Sequence, residues 1–283
     1  MNENSLRERL MQISKLRGES FNETWHNFVL ERFLVRMAKS KYQKSFVFKG
    51  GFLLGKYLNL GRETKDLDFL AREIASEKPT IEKALREISG ITLEDGLTFS
   101  LELLANLPHP HMKIPGFQAS LIAHLGRMRE PVSIDIGIGD VAEPVDKEIL
   151  LTRSKGSSLF EESISLLVYS PETIFAEKIQ TAVVRKESNS RMKDYFDLLM
   201  LVKSDLLHPD KLRTALNATF KYRDTSLELL PLKFDDSQLR HLQIYWTNFR
   251  RNFKGRSNMP EENFTVIVQK INEFLIDNNL AGK

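Results

Sequence analysis

One segment constrains this chain more than any other: FKGGFLLGKYLNLGRETKDLDF, positions 48–69. Ser45 to Phe48 reads as a short strand that runs into Gly50-Gly51. Phe52, Leu53, Tyr57 and Leu60 then recur at helical spacing, which predicts a helix over 52–60 with Gly61 as its stop. Asp66 to Leu70 alternates polar and apolar residues and predicts a second strand. Side chains two apart on a strand share a face, so Asp66 and Asp68 point the same way. Two carboxylates so close repel each other unless a cation lies between them. An all-oxygen ligand set suits a hard ion such as Mg²⁺. Ahead of them, a Gly pair at a helix start leaves backbone N–H groups open to phosphate oxygens.

A third carboxylate comes from SIDIGIGD, positions 133–140, where Asp135 lies among β-branched residues on a predicted strand. If that strand lies beside the one carrying Asp66 and Asp68, the three carboxylates converge. Paired ions about 3.5–4 Å apart can then clamp the attacking and leaving oxygens of a phosphoryl displacement.

The rest of the chain sets the frame. Helical periodicity covers 4–15 and 20–40. In the second, Phe21, Trp25, Phe28, Val29, Phe33, Val35 and Met37 form a broad apolar face, with Glu23, Asn27, Glu31 and Arg32 elsewhere. Residues 80–88 suit a short helix. Strands are expected over 97–104, 116–126 and 130–138, the last two joined by a tight turn near Met128–Glu130. From Pro171 onward the pattern is helical, over 171–186, 190–204, 209–220, 236–253 and 260–277, with Ser170 as N-cap and Pro171 in the first turn. The expected architecture is therefore α/β (α+β): an α/β domain over 1–160 with N-terminal helices, then a mostly helical domain over 161–283.

At 283 residues the chain can bury a full core without staples. It has no Cys, which excludes disulfides, zinc fingers, iron–sulfur clusters and thiol catalysis, and fits a reducing cytoplasm. With 41 Lys+Arg against 38 Asp+Glu, the net charge of +3 limits any nucleic-acid site to a local patch. No apolar run approaches the roughly 20 residues of a membrane span, so no membrane partner is expected.

The order GG…DxD…D resembles the nucleotidyltransferase superfamily typified by DNA polymerase β. Gly50, Gly51, Leu54, Tyr57, Arg62, Thr64, Asp66 and Asp68 resemble, more narrowly, the first motif of the AbiEii/AbiGii toxin nucleotidyltransferases. Thr64 keeps the hydroxyl that is usually a Ser there. Asp135-Ile136-Gly137-Ile138-Gly139 is similar to the second motif, with looser Gly spacing. The third is matched within 168–198 by Glu177, Lys178, Ala182, Arg185, Arg191, Lys193, Asp194 and Asp197; Lys193-Asp194 stands where the group has Arg-Asp. The resemblance spans 45–200.

That resemblance implies a polymerase β-like core with a mixed sheet, and transfer of NMP from an NTP to an acceptor hydroxyl. It implies two ions, Mg²⁺ or alternatively Mn²⁺, held by Asp66, Asp68 and Asp135. Asp66, Asp68, Asp135, Lys178 and Asp194 are the catalytic candidates. Gly50, Gly51, Arg62, Thr64, Lys178 and Arg185 are the nucleotide-binding candidates. On a helix Lys178, Ala182 and Arg185 share a face, from which the cations can reach phosphates. The resemblance further implies an RNA acceptor, the tRNA 3′ end, with block of translation, and a cognate antitoxin that forms no stable complex. The alternatives are a protein hydroxyl or a small molecule such as an aminoglycoside as acceptor, and a catalytically silent nucleotide- or RNA-binding module.

Positions 240–256 interleave Arg240, Arg250, Arg251, Lys254 and Arg256 with Tyr245, Trp246, Phe249 and Phe253. Cations there suit RNA phosphates, with Arg250, Arg251 and Lys254 the candidates. The helical spacing of Leu242, Tyr245, Trp246, Phe249 and Phe253 favours core packing for the aromatics. His109 and His111 flank Pro110 without an evident third ligand and read as loop. Walker A, zincin and nucleophile-elbow motifs are absent.

Overall fold

The computed structural model of the chain describes residues 3–107, 116–139, 143–154, 156–253 and 259–281. His109, His111 and Lys254 lie outside these. The chain forms two compact units. The first comprises Met1–Lys56, Glu63–Gly139 and Pro144–Val168; the second contains Tyr57–Arg62 and Tyr169–Lys283. The sequence places the division near residue 160; in the structure it falls after Val168.

The first unit opens with α1 (Glu3–Arg17) and α2 (Phe21–Lys39). The Ser20 side chain caps α2 by accepting from the Glu23 N–H at 3.1 Å. Then come β1 (Phe46–Lys49), α3 (Gly50–Tyr57), β2 (Asp66–Ala71) and α4 (Lys78–Ser89). Strands β3 (Thr98–Leu107), β4 (Gly116–Leu125), β5 (Met128–Ile138) and β6 (Val145–Leu150) follow, then two-residue strands β7 (Arg153–Ser154) and β8 (Ser157–Ser158), and finally β9 (Ser163–Val168). A seven-stranded sheet runs in the order β3-β4-β5-β2-β1-β9-β6. It is mixed: β2 pairs parallel with β5 and β1 with β9, while β1–β2, β3–β4, β4–β5 and β6–β9 are antiparallel.

Alternation along β5 explains how the sheet is placed. Val132, Ile134, Ile136 and Ile138 are buried, whereas Ser133 and Asp135 between them are part-exposed. The buried side carries the core, including Phe46, Phe48, Leu67 and Phe69, all at most 1% exposed.

Three sequence expectations change. Helix α3 begins at Gly50 and ends at Tyr57, so Gly61 lies beyond its stop, with φ of 64°. Strands β6 and β9 were not expected; β9 pairs with central strand β1, and its six residues follow a polar loop without a turn signal of their own. Helix α2 is not polar on its far side: Glu31, Arg32 and Arg36 are buried, at 4%, 3% and 0% exposure. Arg32 Nε and Arg36 Nη1 both donate to Asp95 Oδ2, at 2.6 and 2.8 Å, and Arg32 also meets Glu161. Burial alone would raise the Asp95 carboxyl, but the Arg36 and Arg32 guanidinia outweigh it and hold it below the usual range.

The second unit is helical after Tyr169: α5 (Pro171–Arg185), α6 (Met192–Val202), α7 (Pro209–Tyr222), α8 (Asp236–Arg251) and α9 (Phe264–Asp277). Ser170 caps α5, accepting from the Thr173 N–H at 3.2 Å, with Pro171 in the first turn as expected. Helix α5 packs on α6 and α7, and α6 on α8 and α9. Trp246 and Phe264 are fully buried and pack on each other; Trp246 also packs tilted on Phe249, and Phe264 meets Tyr195 edge-to-face. No helix among the described residues is long and apolar enough to cross a membrane.

Candidate active site

Register decides the geometry of the first unit's site. Strands β2 and β5 run parallel with Asp68 opposite Asp135 and Asp66 opposite Ser133. Opposed residues of paired strands share a face, so Asp66, Asp68 and Asp135 stand on one side of the sheet, all part-exposed. The condition the sequence set, that the strand of Asp135 lies beside the strand of Asp66 and Asp68, is met by the pairing of β2 with β5.

Two residues at this face were not singled out from sequence. Gln118 on β4 lies opposite Asp135, and its Nε2 donates to Asp135 Oδ1 at 2.9 Å. Lys49 on β1 lies opposite Asp68. Alternation places each on the outward face, but only the strand order reveals which carboxylate each meets. A brace lies nearby: His26 of α2 contacts Glu130 Oε1 through Nδ1 at 2.8 Å and the Lys65 carbonyl through Nε2 at 3.1 Å. It ties α2 to β5 and to the residue just before Asp66.

Gly50 has a local structural reason. Its φ is +74°, and a Cβ built there would lie 2.6 Å from the Asp68 Cβ and nearer still to the carboxyl group. The Asp68 carboxylate thus lies against the start of α3, where the helix dipole favours negative charge. Gly51 follows in the first turn, and Thr64 is part-exposed in the segment before β2.

The carboxylates offer only oxygen, a donor set that suits Mg²⁺ or Mn²⁺. Among the described residues, no three acidic or histidine side chains already converge on one point. The chemistry and register of Asp66, Asp68 and Asp135 fit a divalent-ion site.

The second unit holds a separate cluster of charge. Lys178 on α5 donates to Asp194 Oδ1 at 2.6 Å and lies 2.9 Å from Asp197 Oδ2, both acids on α6. Arg62 grips Asp197 with both arms, Nε to Oδ1 at 2.8 Å and Nη2 to Oδ2 at 2.6 Å. Arg191 Nε reaches Asp194 Oδ2 at 2.7 Å. Lys178 and Arg62 are 13% and 8% exposed, Asp194 and Asp197 3% and 0%. Burial would lower the Lys178 ammonium, but Asp194 and Asp197 outweigh it and raise it above its usual value. Burial would raise Asp194, yet Lys178 and Arg191 hold it well below the carboxylate range. The sequence suggests a cationic helix face of Lys178, Ala182 and Arg185; in the structure Ala182 is fully buried, Lys178 is ion-paired and Arg185 is part-exposed at the end of α5. Elsewhere in this unit the Tyr57 hydroxyl donates to the Tyr169 carbonyl at 2.9 Å; burial, with Glu172 adding, pushes its pKa to about 12.

A family profile described as nucleotidyl transferase AbiEii toxin, type IV toxin–antitoxin system, matches residues 32–269. The chain belongs to the AbiEii nucleotidyltransferase toxin family. It is a nucleotidyltransferase of the toxin class. Among solved structures it is similar to MenT4, a nucleotidyltransferase toxin of Mycobacterium tuberculosis H37Rv: TM-score 0.62, 14% identity, covering 96% of this chain and 89% of that one. It is similar to a candidate nucleotidyltransferase of H. pylori with TM-score 0.53, 14% identity and 92% and 97% coverage. JHP933 of Helicobacter pylori gives TM-score 0.50, 14% identity and 92% and 94% coverage. At such identity these structures speak for the fold. No curated protein sequence matches the chain.

The basic and aromatic segment sorts by burial. Trp246 is fully buried and donates to the Glu261 carbonyl at 2.8 Å; Phe249 packs tilted on Trp246 and Phe196 and edge-to-face on Phe253. Trp246 is core, as its spacing indicates, whereas Tyr245, Phe249 and Phe253 are part-exposed. Arg250 is tied to the Pro260 carbonyl at 3.0 Å, and the exposed Arg251 to Asn248 at 2.7 Å.

Proposed function

We propose that this AbiEii-family nucleotidyltransferase is a divalent-metal-dependent toxin that transfers NMP from an NTP to an RNA 3′ hydroxyl, the tRNA acceptor end, and so blocks translation. The observation that carries the reading is the parallel register of Asp68 with Asp135, with Asp66 two residues away on the same face. Asp66, Asp68 and Asp135 would hold the metal, which neutralises phosphate charge and eases loss of the acceptor's proton. Asp135, with one oxygen held by Gln118, is the group placed to accept the acceptor hydroxyl's proton. The hydroxyl oxygen then bonds to the α-phosphorus, the bond to the bridging oxygen breaks, and pyrophosphate leaves. Gly51 offers its N–H at the start of α3. Lys178, Arg62 and Arg191 are assigned to phosphate oxygens, with Arg185 at the end of α5 as a further cation. Asp194 acts by holding Lys178 and Arg191. Thr64, just ahead of Asp66, is assigned to the nucleotide. Arg250 and Arg251 would meet the RNA backbone only as point charges.

The family's toxin–antitoxin setting supplies an antitoxin partner. The test is transfer from each α-³²P-labelled NTP to total tRNA with Mg²⁺, with Asp66→Asn and Asp68→Asn as controls. Label on tRNA from one NTP, absent in both variants, is expected. Label on a protein or small molecule instead would move the acceptor, and full activity in both variants would refute the metal assignment.

A further inference from the structure

We propose that Asp197, rather than serving the fold alone, is the positioning residue that locks Arg62 to Lys178 and so sets the spacing of the two cations offered to the NTP. The inference rests on the phosphate role given to that cluster above. Asp197 is completely buried, yet three charged contacts meet on its two oxygens. Arg62 takes both oxygens in a fork, and Lys178 shares Oδ2 with it at 2.9 Å. Asp194 meets Lys178 and Arg191. Asp197 therefore couples Arg62, from the segment after α3, to Lys178 of α5.

The chemistry explains why a carboxylate is needed there. Two cations held side by side repel, and burial makes that repulsion larger. A shared anion cancels it, and a planar guanidinium fixed by two parallel bonds cannot swing away. Burial would lower the Lys178 ammonium, but Asp194 first and Asp197 second outweigh it and raise it. An incoming triphosphate then meets cations already held in place, so little side-chain freedom is lost on binding.

The experiment is a double-mutant cycle on the full-length protein, with Arg62→Gln, Asp197→Asn and the pair. Its readouts are Kd for Mg-NTP by calorimetry, and KM and kcat in the transfer assay. Asp197→Asn should raise Kd and KM at least ten-fold, with kcat at saturating NTP reduced less than three-fold. If Asp197 acts through Arg62, the double variant binds within three-fold of the weaker single variant. Multiplying losses, or a Kd within two-fold of wild type in Asp197→Asn, would overturn the proposal. Should Asp197→Asn not fold, Arg62→Lys reads the same contact: charge is kept, the fork is lost, and Kd should rise at least five-fold. An unchanged Kd there overturns it equally. Wild-type protein that binds NTP but labels no RNA would fail the acceptor assignment and leave this inference standing. Wild-type protein that binds no NTP would refute both.

Discussion

Replacing Gly50 with Ala tests the link between a backbone conformation and the position of a carboxylate proposed to hold the metal. Two costs follow from the structure. The first is conformational: φ of +74° is left-handed, and an L-residue with a Cβ pays about 1–2 kcal/mol there. The second is steric. The new Cβ would lie 2.6 Å from the Asp68 Cβ, about 0.8 Å inside the 3.4 Å at which ordinary contact begins. The carboxyl group can rotate aside, but its Cβ moves only with β2, so the strand or the start of α3 must shift. Such overpacking costs typically 1–3 kcal/mol, for a total of about 2–5 kcal/mol. A displacement near 1 Å at a reacting group costs on the order of 10²-fold in rate. Urea unfolding monitored by circular dichroism and the labelled-NTP transfer assay measure both effects. Gly55→Ala is the control: it lies in the same helix with nothing within 4 Å of an added Cβ, and should stabilise by about 0.5–1 kcal/mol with activity unchanged. Gly50→Ala protein with wild-type stability and rate would show that Asp68 does not need the space that glycine leaves.

The remaining predictions concern stability. Asp95→Asn strips the fully buried Arg36 of its countercharge and should cost about 3–5 kcal/mol in urea unfolding; a loss under 1 kcal/mol would refute that role. Acid should weaken the fold in a defined window. Burial pushes Glu161 up, but its bonds from Arg32 and Lys39 outweigh this and bring it from 4.5 to about 2. A carboxyl lowered on folding stabilises above its unfolded pKa and loses that contribution as pH falls through its folded one. Asp95 shifts in the same direction, so unfolding midpoints should fall between about pH 4.5 and 2; a midpoint flat to pH 2 would refute it. Trp246→Ala should cost about 3–5 kcal/mol, as for a packed core ring; a variant as stable as wild type would return Trp246 to the list of base-stacking candidates.

Much of the site was legible in the residue order. Asp66 and Asp68 share a face by the two-residue period of a strand alone, and the helical spacing around Trp246 pointed to core. Short-range rules also placed Ser170 at a helix start. What they could not supply was pairing between distant segments. Gln118 and Lys49 look like ordinary outward-facing residues until β4 and β1 are set beside their partners. Arg32 and Arg36 look like a solvated helix face, because a buried guanidinium is recognisable only from the acid that meets it. Asp95 is 59 residues away from Arg36 in the chain. Lys178 and Arg62 read as free cations for the same reason.

By itself, then, the sequence determined the local conformations, the face shared by Asp66 and Asp68, and the family motifs that identify the chemistry. The tertiary structure alone decided that Asp135 stands opposite Asp68 and that Asp197 joins Arg62 to Lys178. Local periodicity is written in neighbouring residues by steric and hydrogen-bonding rules. Strand order and buried charge pairing depend on which distant segments bury their apolar faces together, and a short window of sequence carries no record of that choice.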